Sequence, residues 1–341
     1  MPQLYGGRVS APDSSTAGAS PLVRDLTEDQ LIARFAPLLP QGGALVPTGD
    51  DAAVLALDDP RVVVTTDALV EGAHFRRDWS SGVDVGWRAI MQNAPDVASM
   101  GATPVGFVVS LVVPGDLPAQ WVVDLAEGMA AACAEVTRLT GRACGVVGGD
   151  LAGGPAVVVA VTAFGDLGTR APVLRSGARP GHVLAHAGTL GRSAAGLALL
   201  RRDDDAGPVS SSAETAVGTY LRPRPPLGHA LGAAGVARAM MDVSDGLVRD
   251  GGRIARASGV GLEISGEGLV DGVVATVAGE LGMDPLPWVL GGGEDHGFLA
   301  AFPPGVALPA GFRAIGRVVE GSGVRVDGAQ PPVAGWDHFG G

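Results

Sequence analysis

Apolar positions first fall into register at Thr27. Leu31, Ile32, Phe35, Leu38 and Leu39 share one helical face, and Thr27 with Gln30 forms a capping box in front of it, so a helix is expected to end near Pro40. Two short β-rich runs follow, Ala52 to Leu57 and Arg61 to Thr66. Helical spacing returns with Val83, Trp87, Ile90, Met91, Ala94 and Val97. Val105 to Val113 reads as strand, Ala119 to Leu139 as helix, and Cys144 to Val147 and Ala156 to Phe164 as strands. The second half continues with a strand from His182 to His186 and a helix from Ser193 to about Arg201. Residues 202–225, with consecutive Asp, a Ser run and several Pro, read as an exposed linker or long loop. Structure resumes near Leu227: a strand from Ala239 to Val243, a helix from Gly246, and strands at Gly259 to Ile264, Trp288 to Leu290, Gly297 to Phe302 and Phe312 to Val319. This alternation predicts an α/β fold of two layered domains, at about 25–170 and 171–341, after a flexible tail over 1–24 too poor in apolar residues to order itself.

Composition narrows the chemistry. The chain has 341 residues, 46% of them apolar, enough to fill two cores. Its formal charge of −12 argues against nucleic acid as a partner. All 24 basic residues are arginine, which excludes a P-loop lysine, a Schiff base and a kinase-fold lysine. Cys133 and Cys144 have no neighbouring His, so neither a disulfide framework nor a zinc site is supported. No apolar run is long enough for a membrane span and no signal sequence is visible, so the expected location is the cytoplasm.

The acids carry most information. Repeatedly a carboxylate closes an apolar run or sits in a Gly-bearing turn: Asp50 and Asp51, Asp67 after VVVTT, Asp150 in GVVGGD, Asp242 and Asp245 in MMDVSDG, and Glu294 with Asp295 after GGG. In α/β sheets ligands gather outside the carboxyl ends of strands, so these acids are expected to converge, with Asp96 joining from a helix. Singly, each also reads as a turn residue, and Asp245 as the cap of the helix beginning at Gly246. Together they would repel unless a hard cation neutralised them; oxygen ligands without His or Cys suit Mg2+, and Mg2+ suggests a nucleotide phosphate. Arg175 in RSGARPG is placed to clamp phosphate. GTLGRSAAG at 188–196 does not match GxGxxG and reads better as close strand-to-helix packing.

Eight ordered blocks resemble the thiamine-monophosphate kinase family, within the ATP-binding superfamily shared with aminoimidazole ribonucleotide synthetase and selenophosphate synthetase. They are GDDAAVL at 49–55, TTDALVEGAHF at 65–75, NAPDVASMGATP at 93–104, VVGGD at 146–150, RSGARPGH at 175–182, MDVSDGLVRD at 241–250, GGGEDHGF at 291–298 and GWDHF at 335–339. The resemblance implies ATP-dependent phosphorylation of thiamine monophosphate to thiamine diphosphate with Mg2+. It implies metal ligands at Asp51, Thr65, Thr66, Asp67, Asp96, Asp150, Asp242 and Asp245, of which Asp67, Asp96 and Asp150 are the catalytic set. ATP contacts are implied at Gly149, Asp150, Arg175 and Ser244, and thiamine-phosphate contacts at His74, Glu294 and Trp336. A homodimer whose amino-terminal sheets pair is also implied.

The chain departs from the family pattern at Pro95, where Ser is usual, at Leu151 and Ala152, which replace paired threonines, and at His296 and Gly297, which replace a Tyr-Glu pair. The reaction suits the residues, since phosphate donor and phosphate acceptor need charge neutralisation more than a strong base; His74 is thus a substrate contact. Two alternatives stay open: a superfamily enzyme with another acceptor, such as a purine-pathway ligase, and a non-enzymatic maturation or accessory role.

Overall fold

The computed structural model describes residues 20–49, 52–202, 210–333 and 335–336. Asp51 and most of the expected 1–24 tail lie outside the described residues. At 20–25 the chain runs beside the start of a long helix, with Leu22 bridging Pro118.

The first half contains α1 (Glu28–Phe35), β1 (Ala44–Val46), β2 (Val54–Leu55), β3 (Val62–Val70), α2 (Gly82–Ser99), β4 (Thr103–Val113), α3 (Ala119–Thr140), β5 (Val146–Gly153) and β6 (Val158–Asp166). Its main sheet has the order β3-β6-β4-β5, with β4 and β5 parallel and the other pairs antiparallel. The second half contains β7 (Val183–Ala187), α4 (Arg192–Leu200), α5 (Ser211–Leu221), α6 (Leu227–Ala233), β8 (Ala239–Val243), α7 (Leu247–Ser258), β9 (Gly261–Ile264), α8 (Gly272–Leu281), α9 (Leu286–Gly291), β10 (Gly297–Phe302), β11 (Phe312–Val319) and β12 (Gly323–Val326). These strands form a second sheet of order β12-β9-β11-β7-β10-β8. The fold is mixed α/β, as expected.

Helix α2 is the keystone between the sheets. Thr27 and Ser81 cap α1 and α2 through their hydroxyls, each in a capping box. Along α2 every residue except Val83 and Asp96 is buried, so the helix is wrapped by protein and not merely amphipathic. It can lie against α3 only because of its glycines: a Cβ on Gly86 would stand 2.0 Å from the Leu125 carbonyl oxygen. The helix continues through Pro95 to Ser99 and leaves Asp96 as its one open acid. One core joins α2, α3 and the first sheet to Phe298, Ala300 and Phe302 of β10; on the other face of the second sheet, Leu299 and Ala301 pack with α7 and α9 residues in a separate core. The inner second-sheet strands are thus buried on both faces, which fixes their register.

Three expectations need correction. Within the expected 202–225 loop, residues 211–221 form α5, capped by Ser210, with Ala213, Ala216 and Tyr220 buried at helical spacing. The Ser run signalled a helix start and not a linker. Trp288 to Leu290 is not a strand but part of α9; Pro287 sits in the first turn of that helix, where its missing amide leaves no hydrogen bond unmade. Asp67 and Asp150 do not close strands: β3 and β5 run past them to Val70 and Gly153, because ladder pairing with β6 and β4 extends both.

His186 of β7 is fully buried, and neither ring nitrogen meets a protein hydrogen-bond partner among the described residues. Burial, with Arg313 adding repulsion, lowers its pKa to about 3. The unfolded chain therefore takes up a proton near pH 6.5 that the folded chain refuses. This histidine's stabilising effect is present above that pH and is lost toward pH 3, by up to about 1.4 kcal/mol per pH unit. Melting temperatures from about pH 8 to about pH 4 should fall less steeply in His186→Leu than in the parent; parallel curves would show that His186 is not the acid-sensitive group.

Candidate active site

Thr65 and Asp67 lie on the helix-covered face of β3, in line with the buried Ala163 and Val161 of β6. The Thr65 hydroxyl donates to Asp96 Oδ2 at 3.1 Å. Asp96 of α2, Asp67 of β3 and Asp242 of β8 face one another across the junction of the sheets, close enough to perturb each other. Burial pushes the Asp96 carboxyl up to about 7, with Asp242 and Asp67 adding repulsion. It pushes Asp67 up to about 6, with Asp242, Glu294 and Asp245 adding repulsion against the attraction of His296. Both carboxylates are electrostatically uncomfortable.

Next to these acids sits the loop between α9 and β10. Gly293 lets it press on the loop after β8, since a Cβ there would come within 2.1 Å of the Ser244 carbonyl oxygen. The Glu294 amide donates to that carbonyl at 2.8 Å. Glu294 and His296 both adopt left-handed backbone conformations, φ 69° and 52°, a strain that calls for compensation by the surrounding structure. Their partners supply it. Glu294 Oε2 takes the Arg88 guanidinium at 2.7 and 3.2 Å, and His296 lies 3.5 Å from Glu294 and 3.8 Å from Asp242. Burial alone would raise Glu294 and lower His296, yet Arg88 and His296 hold the Glu294 carboxyl well below its usual range, and Asp242 with Glu294 pushes His296 up to about 10. The His296 ring thus lies between the two acids.

Arg88 also donates to the His74 carbonyl at 2.9 Å and stacks over Tyr220 at 4.8 Å, while the Tyr220 hydroxyl donates to the same carbonyl at 3.2 Å. These groups wall a cavity of about 670 Å3, shared by His74, Arg88, Tyr220, Ser244, Glu294 and Trp336. The His74 ring accepts the Val70 amide at Nδ1, 3.0 Å, which fixes its orientation. The Trp336 amide donates to the Asp245 carbonyl at 2.9 Å, so the carboxyl-terminal segment crosses the loop after β8 and leaves the indole half-exposed at the rim.

The expected residues therefore divide. Thr65, Asp67, Asp96 and Asp242 come together; His74, Ser244, Glu294 and Trp336 share the adjoining cavity. The Thr66 hydroxyl is committed to the Val161 carbonyl at 3.0 Å, its residue lying on the sheet's other face. Asp245 is bound by Arg253 at 2.6 Å, with Arg249 at 3.8 Å. Asp150 aligns with Ser110, Ala160 and Ala68 on the open face of the first sheet, about 14 Å across from β3 at three strand spacings, with Gly149 beside it on the same strand. Arg175 is exposed, its carbonyl accepting from Ser258 at the far end of α7, about 18 Å along that helix from Asp245. Within one chain, neither Asp150 nor Arg175 reaches the acids. Sequence reasoning missed Arg88, Tyr220 and Asp250; Asp250 accepts the Ser244 and Asp245 amides at 3.1 and 2.9 Å and shapes their loop. Its signal was an acid in the first turn of α7.

Comparison with known proteins matches residues 49–167 to the family model for AIR synthase related protein, N-terminal domain. The chain is 46% identical to the thiamine-monophosphate kinase of Mycobacterium tuberculosis, over 97% of both chains. The chain belongs to the thiamine-monophosphate kinase family. The family's Corynebacterium glutamicum member is 40% identical, over 97% of this chain and 98% of its own length. Among solved structures, AaThiL complexed with AMPPCP and TMP aligns with a TM-score of 0.74 and 31% identity, covering 93% of this chain and 98% of that one. The thiamine-monophosphate kinase of Stenotrophomonas maltophilia aligns at 0.75 with 29% identity, covering 88% and 95%. Among the described residues no helix is long and apolar enough to cross a membrane.

Proposed function

We propose that this chain moves the terminal phosphoryl group of ATP onto the phosphate of thiamine monophosphate, giving thiamine diphosphate and ADP. An acceptor phosphate oxygen attacks the γ-phosphorus, and the bond from that phosphorus to the β,γ-bridging oxygen breaks. The observation that carries this reading is the joining of cavity to acids: Glu294 lies in the cavity wall and is tied through His296 to Asp242, which faces Asp67 and Asp96. An acceptor in the cavity would thus present its phosphate toward the acids. The half-exposed Trp336 offers its ring to the cationic thiazolium or the pyrimidine.

Mg2+ fits this donor set, because Asp67, Asp96 and Asp242 offer only oxygen and repel one another without a cation. Among the described residues no group of three or more His, Cys, Asp or Glu is arranged to hold a metal ion unaided. Mg2+ is commonly bound by one or two carboxylates and completed by water and phosphate oxygens, and Asp51 is a further proposed ligand. When bound, Mg2+ would neutralise the charge that builds as two anions approach. Arg88 and His296, for their part, hold Glu294 in its strained conformation.

The proposed arrangement has residues 25–170 and 171–341 as two domains and a homodimer formed through the open face of the first sheet, where Val62 and Val64 are exposed. Asp150 lies on that face, so its proposed catalytic role is one exercised in the dimer; Gly149 and Arg175 are the further proposed ATP contacts. The cytoplasm is the matching location.

The test is a turnover assay with ATP, Mg2+ and thiamine monophosphate, run against a purine-pathway acceptor. Thiamine diphosphate should form, and excess chelator should stop it. Trp336→Ala should raise KM for thiamine monophosphate about threefold to thirtyfold, the worth of one cation–π contact, with KM for ATP nearly unchanged. Equal rises for both substrates would make the tail a structural plug; turnover of the purine acceptor instead would overturn the proposed reaction.

A further inference from the structure

Beside α7, and sharing no lining residue with the acceptor cavity, a second cleft of about 560 Å3 opens between this helix, β12 and the segment 330–333. Arg249, Arg253 and Arg256 line it, at spacings of four and three residues that bring all of them onto one helical face. No Asp or Glu is among its lining residues, although the chain as a whole carries a formal charge of −12. Asp245 and Asp250, behind the cleft wall, supply part of the counter-charge, to Arg249 and Arg253.

The arginines are not equivalent. Arg253 is pinned from behind, one guanidinium nitrogen on Asp245 Oδ2 at 2.6 Å and the other on Asp250 Oδ1 at 2.5 Å. Two of its five N–H donors are thereby engaged, and the fork is held rigid at the cleft wall. Arg256 meets no acid in an ion pair among the described residues. Its guanidinium lies over Gly252, where a Cβ would come within 3.5 Å of Nη1. The remaining lining is mostly apolar or amide, with Val248 and Val324 from helix and strand and Gln330 and Pro331 from the segment that follows.

We propose that this cleft binds a small molecule bearing a diphosphate group. Planar guanidinium forks on one helix face match the paired oxygens of successive phosphates, and a lone phosphate would leave most of the volume empty. The apolar lining gives an attached organic group a surface to cover, and the volume falls in the range of small-molecule sites. Both products of the proposed reaction, ADP and thiamine diphosphate, carry this chemistry. In that respect alone the proposal rests on the functional reading above. The cleft is also joined to the active site, since Arg253 and Arg249 hold the carboxylate of Asp245, whose carbonyl anchors Trp336.

The test uses the full chain with its active site saturated by a non-hydrolysable ATP analogue and thiamine monophosphate. Sodium diphosphate, ADP and thiamine diphosphate are then titrated in separate calorimetric experiments. The parent should bind at least one of these probes at a further site, Arg256→Glu should weaken that binding at least tenfold, and Arg256→Lys should fall between them. Turnover without added probe should be the same in all three proteins, because Arg256 stands outside the acceptor cavity. Tighter binding of one organic probe assigns the attached group, and equal binding of all three assigns the diphosphate alone. Absence of a further site in the parent, or equal affinity in Arg256→Glu, overturns the proposal. Loss of turnover in the parent would instead strike the functional reading and leave the binding result standing.

Discussion

Asp67→Ala is expected to reduce turnover by at least about 10²- to 10³-fold while the melting temperature at about pH 7.5 stays level or rises. Ordinarily an acid stabilises a fold by finding a partner there. Asp67 does the opposite: desolvation within the acid cluster, reinforced by Asp242, Glu294 and Asp245 and opposed by His296, raises its pKa to about 6. A carboxyl whose folded pKa lies above its unfolded value destabilises the fold wherever it is charged, and the cost fades as pH falls through about 6 toward about 4. Removing it at about pH 7.5 relieves repulsion among acids, so the fold has nothing to lose. On the proposed mechanism, catalysis would lose a group that, with a bound cation, neutralises and positions the reacting phosphates. Asp67→Asn is the companion variant, keeping shape without charge, and should behave alike. Turnover within about tenfold of the parent, or a melting temperature several degrees lower in both variants, would make Asp67 a structural residue.

That inversion explains what the sequence disclosed. An acid that disturbs its own fold is visible as an oddity, a charge ending an apolar run, and Asp67 stands out in this way. His74, Glu294 and Trp336 were legible only through motif resemblance; locally they are a loop histidine, an acid after glycines and a late aromatic. Helices and strands with a single buried face declared themselves by period, whereas α5 hid its face of Ala213, Ala216 and Tyr220 behind small residues with weak hydrophobic contrast. Strand ends were harder. β3 and β5 extend beyond their apolar runs because pairing with neighbours, and not side-chain character, holds Asp67 and Asp150 in strand. The same pairing separates Asp150 from Asp67 by setting them on opposite faces, a consequence of register that spacing along the chain does not encode.

Arg88 was the least legible of all, because the partner that gives it meaning, Glu294, lies 206 residues away. Its substitution by alanine should cost about 3 kcal/mol of stability and raise KM for thiamine monophosphate by at least about tenfold. The Arg88 side chain is almost wholly buried, at 4% exposure, while the Glu294 side chain keeps 35%, so the stability loss belongs at the low end of values for broken buried pairs. Alanine removes both bonds to Glu294, the bond to the His74 carbonyl and the contact with Tyr220 at once. Glu294 is then left strained, with only His296 to hold its charge. Arg88→Lys should recover little, since an ammonium cannot bond Glu294 and His74 together while lying flat on an aromatic ring. The double variant Arg88→Leu with Glu294→Gln separates the two effects. With the orphaned charge gone it should regain most of the lost melting temperature, yet the acceptor KM should stay high, because the cavity wall has lost the groups that shape it. Recovery of acceptor binding along with stability would reduce Arg88 and Glu294 to a structural pair; failure to recover stability would mean that the cost lies in the arginine's packing and not in the abandoned acid.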